Sequence, residues 1–307
     1  MILELLSLCS PFVLLLLFVV GLLSLLWRKL KLAAIVFLLS FIVNYYFRII
    51  PLNVIHGEDN REQFSVMSFN INGIYSSQEK AEKISRLIAD EKIDLAFIIE
   101  DFGDISIELD TCLSKILKYS TFENDELGHY FYSKYPIDTI YHINVQKARR
   151  SRIYSAIISV SGRKIHVCGL HLASNNYNEH KEYFTPERIN SPTKVSSYIT
   201  NILNASEFRC RESDSLLVDL DKYSYPTLIL GDFNDVCGSP VINKFDVSGL
   251  KDAWWTGGIG YGATIQQPMP YRIDHILYNK ELKLLDIEKI DSKGLSDHDA
   301  LVARFSY

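Results

Sequence analysis

Asp232 and Asn234 follow an apolar run, Thr227 to Leu230, that reads as a buried strand. Gly231 lets the backbone turn at its end. Side chains two apart share a face in extended chain, so the carboxylate and the carboxamide point the same way. A carboxylate there can hold a water or a metal ion, and an amide can donate to an anionic oxygen without adding charge. Polar residues recur at other strand ends. Asn70 closes FSVMSFN, Glu100 closes DLAFIIE and His171 closes KIHVCGLH; Asp274 and His275 lie inside RIDHIL, and Asp297 and His298 open the last strand. Taken singly, most are ordinary turn or solvated residues. Asp274 is the hardest to explain that way. A carboxylate buried in an apolar strand is costly unless it is paired or metal-bound, and His298 is a candidate partner.

Alternating or apolar β-rich runs predict strands at Phe64–Asn70, Asp94–Glu100, Gly128–Ser133, Ile137–Val145, Ile153–Val160, Lys164–His171, Tyr271–Leu277, Leu284–Ile290 and Ala300–Phe305, besides the run before Asp232. Ser161-Gly162-Arg163 reads as a hairpin turn. Ala81, Ile84, Leu87 and Ile88 recur at helical spacing behind a Ser76 or Ser77 cap. Further helices are expected at Ile105–Leu117, at Thr193–Asp221 with a break near Cys210, and at Val241–Phe245. Ser174 to Pro192 reads as a long surface loop. Strands mostly follow strands, so the sheets should be mixed or antiparallel with helices outside. Residues 63–307 fit one large α/β domain, with 51–62 as linker.

The first 50 residues are different. Leu5 to Trp27 and Leu32 to Phe47 carry no charge, and Arg28, Lys29 and Lys31 lie between them. A bilayer-spanning helix needs roughly 20 apolar residues, and Trp27, Tyr45 and Tyr46 stand where interfacial aromatics belong. Two transmembrane helices, about 5–27 and 31–50, follow. A cleaved signal peptide would want positive charge ahead of its apolar core, whereas the first charge is Glu4. The positive-inside rule places the basic turn in the cytoplasm and everything after Pro51 on the extracytoplasmic side. Setting aside four basic residues and Glu4 from the chain's 32 and 37 leaves a net charge of −8 for the remainder. Such a domain has no general pull on a polyanion. Cys9, Cys112, Cys168, Cys210 and Cys237 make no CxxC, so zinc spacing is absent. Cys168 reads as a small core residue; outside the cytoplasm Cys210 and Cys237 could pair. Arg149, Arg150 and Arg152 could touch phosphates, but a solvated edge strand is the stronger reading.

SFNING, LAFIIE, YSKYPI, GLHLAS, GDFND, YRIDHIL and SDHDALVARF, in that order over residues 64 to 307, resemble the endonuclease/exonuclease/phosphatase superfamily. GDFND with the terminal SDH is the specific part. The resemblance implies a four-layer α/β sandwich: two mixed β-sheets face to face with helices outside, here preceded by the two transmembrane helices. It implies hydrolysis of phosphodiester bonds with Mg²⁺, or Mn²⁺ in its place. Glu100 would be the principal metal ligand with Asn70 beside it, and Asp297 would hold a metal or position its neighbour. Asp232 would orient or deprotonate the attacking water, and Asn234 would bind the phosphate. Asp274 would pair with His298 and keep it charged, and His171 would be a second histidine at the phosphate. The implied substrate is a phosphodiester of nucleic acid or of a lipid headgroup; phospholipid, sphingomyelin-type or inositol-phosphate esters are the alternatives. A catalytically silent binding protein would have lost a ligand residue, and none of the main ones is lost. Apart from the lipid bilayer, no obligate protein partner is evident.

Overall fold

The structure, a computed structural model, describes residues 2–53, 59, 61–73, 77–102, 105–122, 128–145, 152–175, 192–266 and 269–307. Two helices open the chain, α1 (Ile2–Leu26) and α2 (Leu30–Phe47). They pack as an antiparallel hairpin, and each is long and apolar enough to cross a membrane.

Among the described residues, twelve strands follow in two six-stranded sheets. The first sheet contains β1 (Gln63–Asn70), β2 (Leu95–Ile99), β3 (Tyr119–Ser120), β4 (His129–Ser133), β11 (Lys283–Ile290) and β12 (Ala300–Ser306). Its order is β11-β12-β1-β2-β4-β3, and only β1 and β2 run parallel. The second contains β5 (Ile137–His142), β6 (Ile153–Val160), β7 (Arg163–His171), β8 (Thr227–Asp232), β9 (Lys251–Asp252) and β10 (Asp274–Tyr278). Its order is β5-β6-β7-β8-β10-β9, with β7 and β8 parallel. The two parallel pairs point their C-terminal ends at one edge of the molecule, and that edge carries the polar residues.

The central strands are apolar on both faces because each sheet is covered twice. Val66, Phe97 and Phe131 of the first sheet meet Ala156, Val167, Leu228 and Ile276 of the second in the middle core. Met67, Phe69, Ala96 and Ile98 face the opposite way, against α3 (Gln78–Asp90) and α4 (Ile105–Leu113). Cys168, Leu170 and Ile229 face α5 (Pro192–Leu220) and α6 (Pro240–Val247). Helix, sheet, sheet, helix is the four-layer sandwich. Ser77 starts α3, its hydroxyl accepting from Lys80 N at 3.2 Å. Ser161 and Gly162, both with positive φ, make the β6–β7 hairpin turn.

Several boundaries differ from the expectations. α5 runs unbroken past Cys210, because Arg209 and Ser213 on its inner face are fully buried and bonded, which favours continuing the helix there. β10 begins at Asp274 rather than Tyr271, since Tyr271 pairs with Ile265 in an isolated bridge instead. The two-residue strands β3 and β9, and the short α7 (Ala253–Gly257), are too brief to carry a periodic signal. Cys210 and Cys237 are free thiols, not a disulfide. Within the expected linker, Leu52 pairs with Ile259 and Asn53 donates to the carbonyls of Trp255 and Gly258. Most of the expected loop before α5, residues 176–191, lies outside the described residues, as do Arg149 and Arg150.

Candidate active site

The strand register assembles the site. In the second sheet Asp232 stands between its two cross-strand partners, His171 on β7 and Asp274 on β10. Asn70, the last residue of β1, reaches across from the first sheet and donates Nδ2 to Asp232 Oδ2 at 3.1 Å. His298, just before β12, packs onto the same carboxylates. Ser296 fixes its approach: Ser296 Oγ donates to Asn70 O at 2.7 Å and accepts from His298 N at 3.1 Å.

Three backbone features place the remaining groups. Gly231 has φ +151°, and a Cβ there would stand 1.9 Å from Leu170 O, so only glycine permits this path into Asp232. Glu100 has φ +60°, a conformation costly for a non-glycine residue and typical of functional sites. It is held by Gly73, whose N–H donates to Glu100 O at 2.7 Å and whose absent side chain leaves room for that oxygen. Asn234, with φ +50°, gives its N–H to Asp232 Oδ1 at 2.8 Å and its Nδ2 to Leu172 O at 3.0 Å. An amide nitrogen carries two hydrogens, so Asn234 keeps one for a ligand.

The two site histidines differ in charge. His298 Nδ1 donates to Asp274 Oδ2 at 2.9 Å. Burial alone would lower its pKa, but Asp274, Asp232 and Asp297 outweigh that and raise it to about 10, so it is an imidazolium. His171 is held well below the usual range, by burial first and then by His129, Arg152 and His298, so it is neutral. Its Nδ1 shares a hydrogen bond of 3.0 Å with His129 Nε2, and its Nε2 lies 3.5 Å from Glu100 Oε1. Burial and the neighbouring Asp274 carboxylate raise Asp232 to about 7, against the opposing pull of His298.

Glu100, Asn70, Asp232 and Asp274 make an oxygen-rich donor set, the kind that hard divalent cations take. Asp232, Asp274 and His298 bring ligand atoms within 4.8 Å of one another. Asp274 Oδ1 is buried without a hydrogen-bond partner among the described residues. These donors fit a divalent cation. His298 does not belong to its shell, because Nδ1 is taken by Asp274 and the ring is charged. Asp297 is exposed and lines, with Asn72, Lys80 and Ser296, a cleft of about 510 Å³ beside the site. A larger cleft, about 720 Å³, lies between β5 and α5, away from these residues.

The structure therefore gathers Asn70, Glu100, His171, Asp232, Asn234, Asp274 and His298 around one point, with Asp297 at the rim. It adds one residue that the sequence did not single out for the site, His129, and draws in Arg152. His129 orients His171, and the exposed Arg152 brings a guanidinium nitrogen to 3.4 Å of His171 Nδ1 instead of standing apart on a solvated edge. The only signal for His129 was a histidine beside glycine at the start of an apolar strand. His275, next to Asp274, faces the other way. Its Nδ1 binds Asp252 Oδ2 at 2.8 Å and its Nε2 binds Asp235 O at 3.0 Å, which braces the turn after Asn234. Arg272 completes that brace on Asp252 and Cys237, and its cationic group stands where a metal ion would compete.

A sandwich with strand-end carboxylates, amides and two histidines, one charged and one neutral, defines a phosphoester hydrolase. The chain belongs to the endonuclease/exonuclease/phosphatase family, whose model matches residues 67–298. No curated protein sequence resembles it at a significant level. Among solved structures it is similar to TDP2 from Caenorhabditis elegans, at 18% identity and TM-score 0.58 over 80% of this chain and 75% of that one. It is similar to Danio rerio TDP2 in complex with a single-stranded DNA product, at 15% identity and TM-score 0.61 over 80% of this chain and 100% of that one. It is also similar to NExo, a 3′ phosphatase from Neisseria bound to a product DNA hairpin, at 14% identity and TM-score 0.59 over 80% of this chain and 100% of that one.

Proposed function

We propose that this chain is a membrane-anchored, Mg²⁺-dependent phosphodiesterase with nuclease-type chemistry and its catalytic domain on the extracytoplasmic side. The observation that carries the reading is the pairing of Asp232, a buried carboxylate poised to take a proton near neutral pH, with His298, a buried imidazolium held by Asp274. Asp232 orients the attacking water and accepts its proton. The water oxygen bonds to phosphorus, the bond to the leaving oxygen breaks, and that oxygen is reprotonated from solvent. His298 and the free hydrogen of Asn234 stabilise the charge added to the phosphoryl oxygens. His171, neutral and oriented by His129, donates to the same group. Glu100 and Asn70, with Asp297 at the rim, are the residues proposed to hold Mg²⁺, or Mn²⁺; when bound, the ion neutralises phosphate charge and steadies the leaving oxygen. Two of the similar structures hold DNA products, so a phosphodiester substrate is the natural one to test first.

The membrane reading rests on the two apolar helices and the basic turn between them. Further support comes from the outer ends of both helices. Glu4 near the start of α1 and Arg48 after α2 both pair with the catalytic domain, to Arg209 and Asp246, so the two ends belong on one side of a bilayer.

The test uses the full chain in detergent with bis(4-nitrophenyl) phosphate and a single-stranded oligonucleotide, with Mg²⁺ or with a chelator. Turnover should require the metal and fall at least about 10²-fold in Asp232→Asn and His298→Ala. Turnover that survives chelation, or that is equal in these variants, rejects the assignment. A folded protein that binds the oligonucleotide without cleaving it would be the silent binding protein instead.

A further inference from the structure

We infer that the edge of the sandwich carrying the active site rests on the lipid bilayer, so that the enzyme works on phosphoesters presented at the membrane surface. The inference rests on the phosphodiesterase reading and adds where the substrate comes from.

The first observation is where the hairpin docks. Leu5 and Leu8 of α1 pack with Tyr198, Ile202, Val236, Ile265, Tyr271 and Ile273. Tyr271 donates its hydroxyl to Leu8 O at 3.1 Å and meets Phe12 edge-on at 6.1 Å. Phe47, at the end of α2, fills the space beside Gly238. These contacts are neighbours of the site. Val236 is two residues after Asn234, Ile273 precedes Asp274, and Ile265 is bridge-paired to His298. The helices therefore leave the domain from its active-site rim and not from its opposite end.

The second observation is length. A helix rises about 1.5 Å per residue, so beyond Phe12 the rest of α1 rises only about 21 Å, against a hydrocarbon core of about 30 Å. Counting about 20 residues back from Leu26 reaches Ser7. Leu8 and Phe12 then lie at hydrocarbon depth while touching Tyr271. α2 spans about 27 Å and ends against Gly238. Among the described residues no spacer separates membrane from domain, and the rim they share stands where the helices enter the bilayer.

The third observation is an apolar fringe around that junction. Leu52 and Ile259, paired just after α2, are 77% and 56% exposed, and Val247 beside the Arg48–Asp246 contact is 89% exposed. Met269 and Phe208, neighbours of Tyr271 and Arg209, are also exposed. Large apolar side chains left in water beside membrane helices fit an interfacial lipid layer.

The experiment reconstitutes the full chain in vesicles of phosphatidylcholine and phosphatidylglycerol in equal parts. Headgroup release is compared with release from the dihexanoyl forms of the same lipids kept below their micelle concentration, from a single-stranded oligonucleotide, and from bis(4-nitrophenyl) phosphate. The expected result is Mg²⁺-dependent turnover that is faster for the bilayer lipid than for its soluble form. The Leu52→Glu/Ile259→Glu variant should cut that vesicle turnover about tenfold while keeping the bis(4-nitrophenyl) phosphate rate within about twofold. If bis(4-nitrophenyl) phosphate is hydrolysed but the vesicle lipids are untouched, slower than the oligonucleotide, or insensitive to the two glutamates, the membrane-surface inference is overturned and the phosphodiesterase stands. If none of the esters is hydrolysed, the phosphodiesterase reading fails and takes this inference with it.

Discussion

His171 and His298 bring their Nε2 atoms to the same distance, 3.9 Å, from one oxygen of Asp232, yet one ring is neutral and the other charged. The difference lies in what backs each ring. A carboxylate, Asp274, stands behind His298, whereas another imidazole, His129, stands behind His171. A carboxylate stabilises an imidazolium and a second imidazole does not. One fold thus supplies a fixed cation and a neutral donor on either side of a single carboxylate.

The first prediction concerns pH. On the proposed mechanism activity needs Asp232 without its proton and His298 with one, so the rate should rise as pH passes about 7 and fall as it passes about 10. Bound cation would move the lower limb down. Asp274→Asn removes the charge that raises His298, so the upper limb should move toward the ordinary histidine value of about 6.5. The sign for stability is the same. A group raised in the folded state stabilises fully below its unfolded pKa, about 6.5, and loses that contribution as pH rises through about 10. pH–rate profiles and thermal melts of parent and variant check both; an unmoved alkaline limb counts against the pair.

His129 should matter without touching substrate. His129→Phe removes the bond to His171 Nδ1 and frees that ring to turn. A misplaced group of this kind costs up to about 10²-fold in rate, and the loss should appear in kcat with KM little changed. Steady-state kinetics on a soluble diester separate this from a general loss of folded protein, which would scale kcat with the folded fraction.

Gly73→Ala should damage the metal centre selectively. The new Cβ would stand 2.3 Å from Glu100 O, so the strained turn at Glu100 has to move. Mn²⁺ binding, read by electron paramagnetic resonance, should weaken at least about tenfold, as happens when support behind a ligand is lost. Binding equal to the parent would mean that Glu100 is not a ligand.

Arg209 and Glu4 offer an asymmetric test of stability. Arg209 is fully buried, with Glu4 at 2.8 Å, Asp235 at 3.1 Å and Asn175 Oδ1 at 2.8 Å. Arg209→Met strands two buried carboxylates and should cost about 3–5 kcal/mol. Glu4→Ala leaves the Arg209–Asp235 pair intact and should cost about 1–3 kcal/mol for the unmade bonds. Unfolding of both variants in the same detergent gives the order; a reversed order refutes the account.

Much of the site was legible because it is local in sequence. GDFND, RIDHIL and SDH each bring their polar residues to a strand end, and a strand end is visible from an apolar run and the turn that stops it. The Asp274–His298 pairing could be expected because a buried carboxylate needs a partner. The rest depends on which strands are neighbours. His129 meets His171 only because β4 and β7 lie in facing sheets at the same edge, and nothing in HYFYS announces that. The unbroken course of α5 past Cys210 was hidden for a similar reason: what holds it there is Arg209, whose carboxylate partners are Glu4 and Asp235, far away in the chain. His275 was visible as a polar residue, but its outward direction follows from the onset of β10 at Asp274.

The ribosome makes Glu4 about two hundred residues before Arg209, and the two then meet in a fully buried ion pair. Docking of α1 and completion of the domain are thereby joined in one assembly step. A chain in which α1 has not docked leaves the Arg209 guanidinium without one of its two carboxylates, so the late helix waits on the early one.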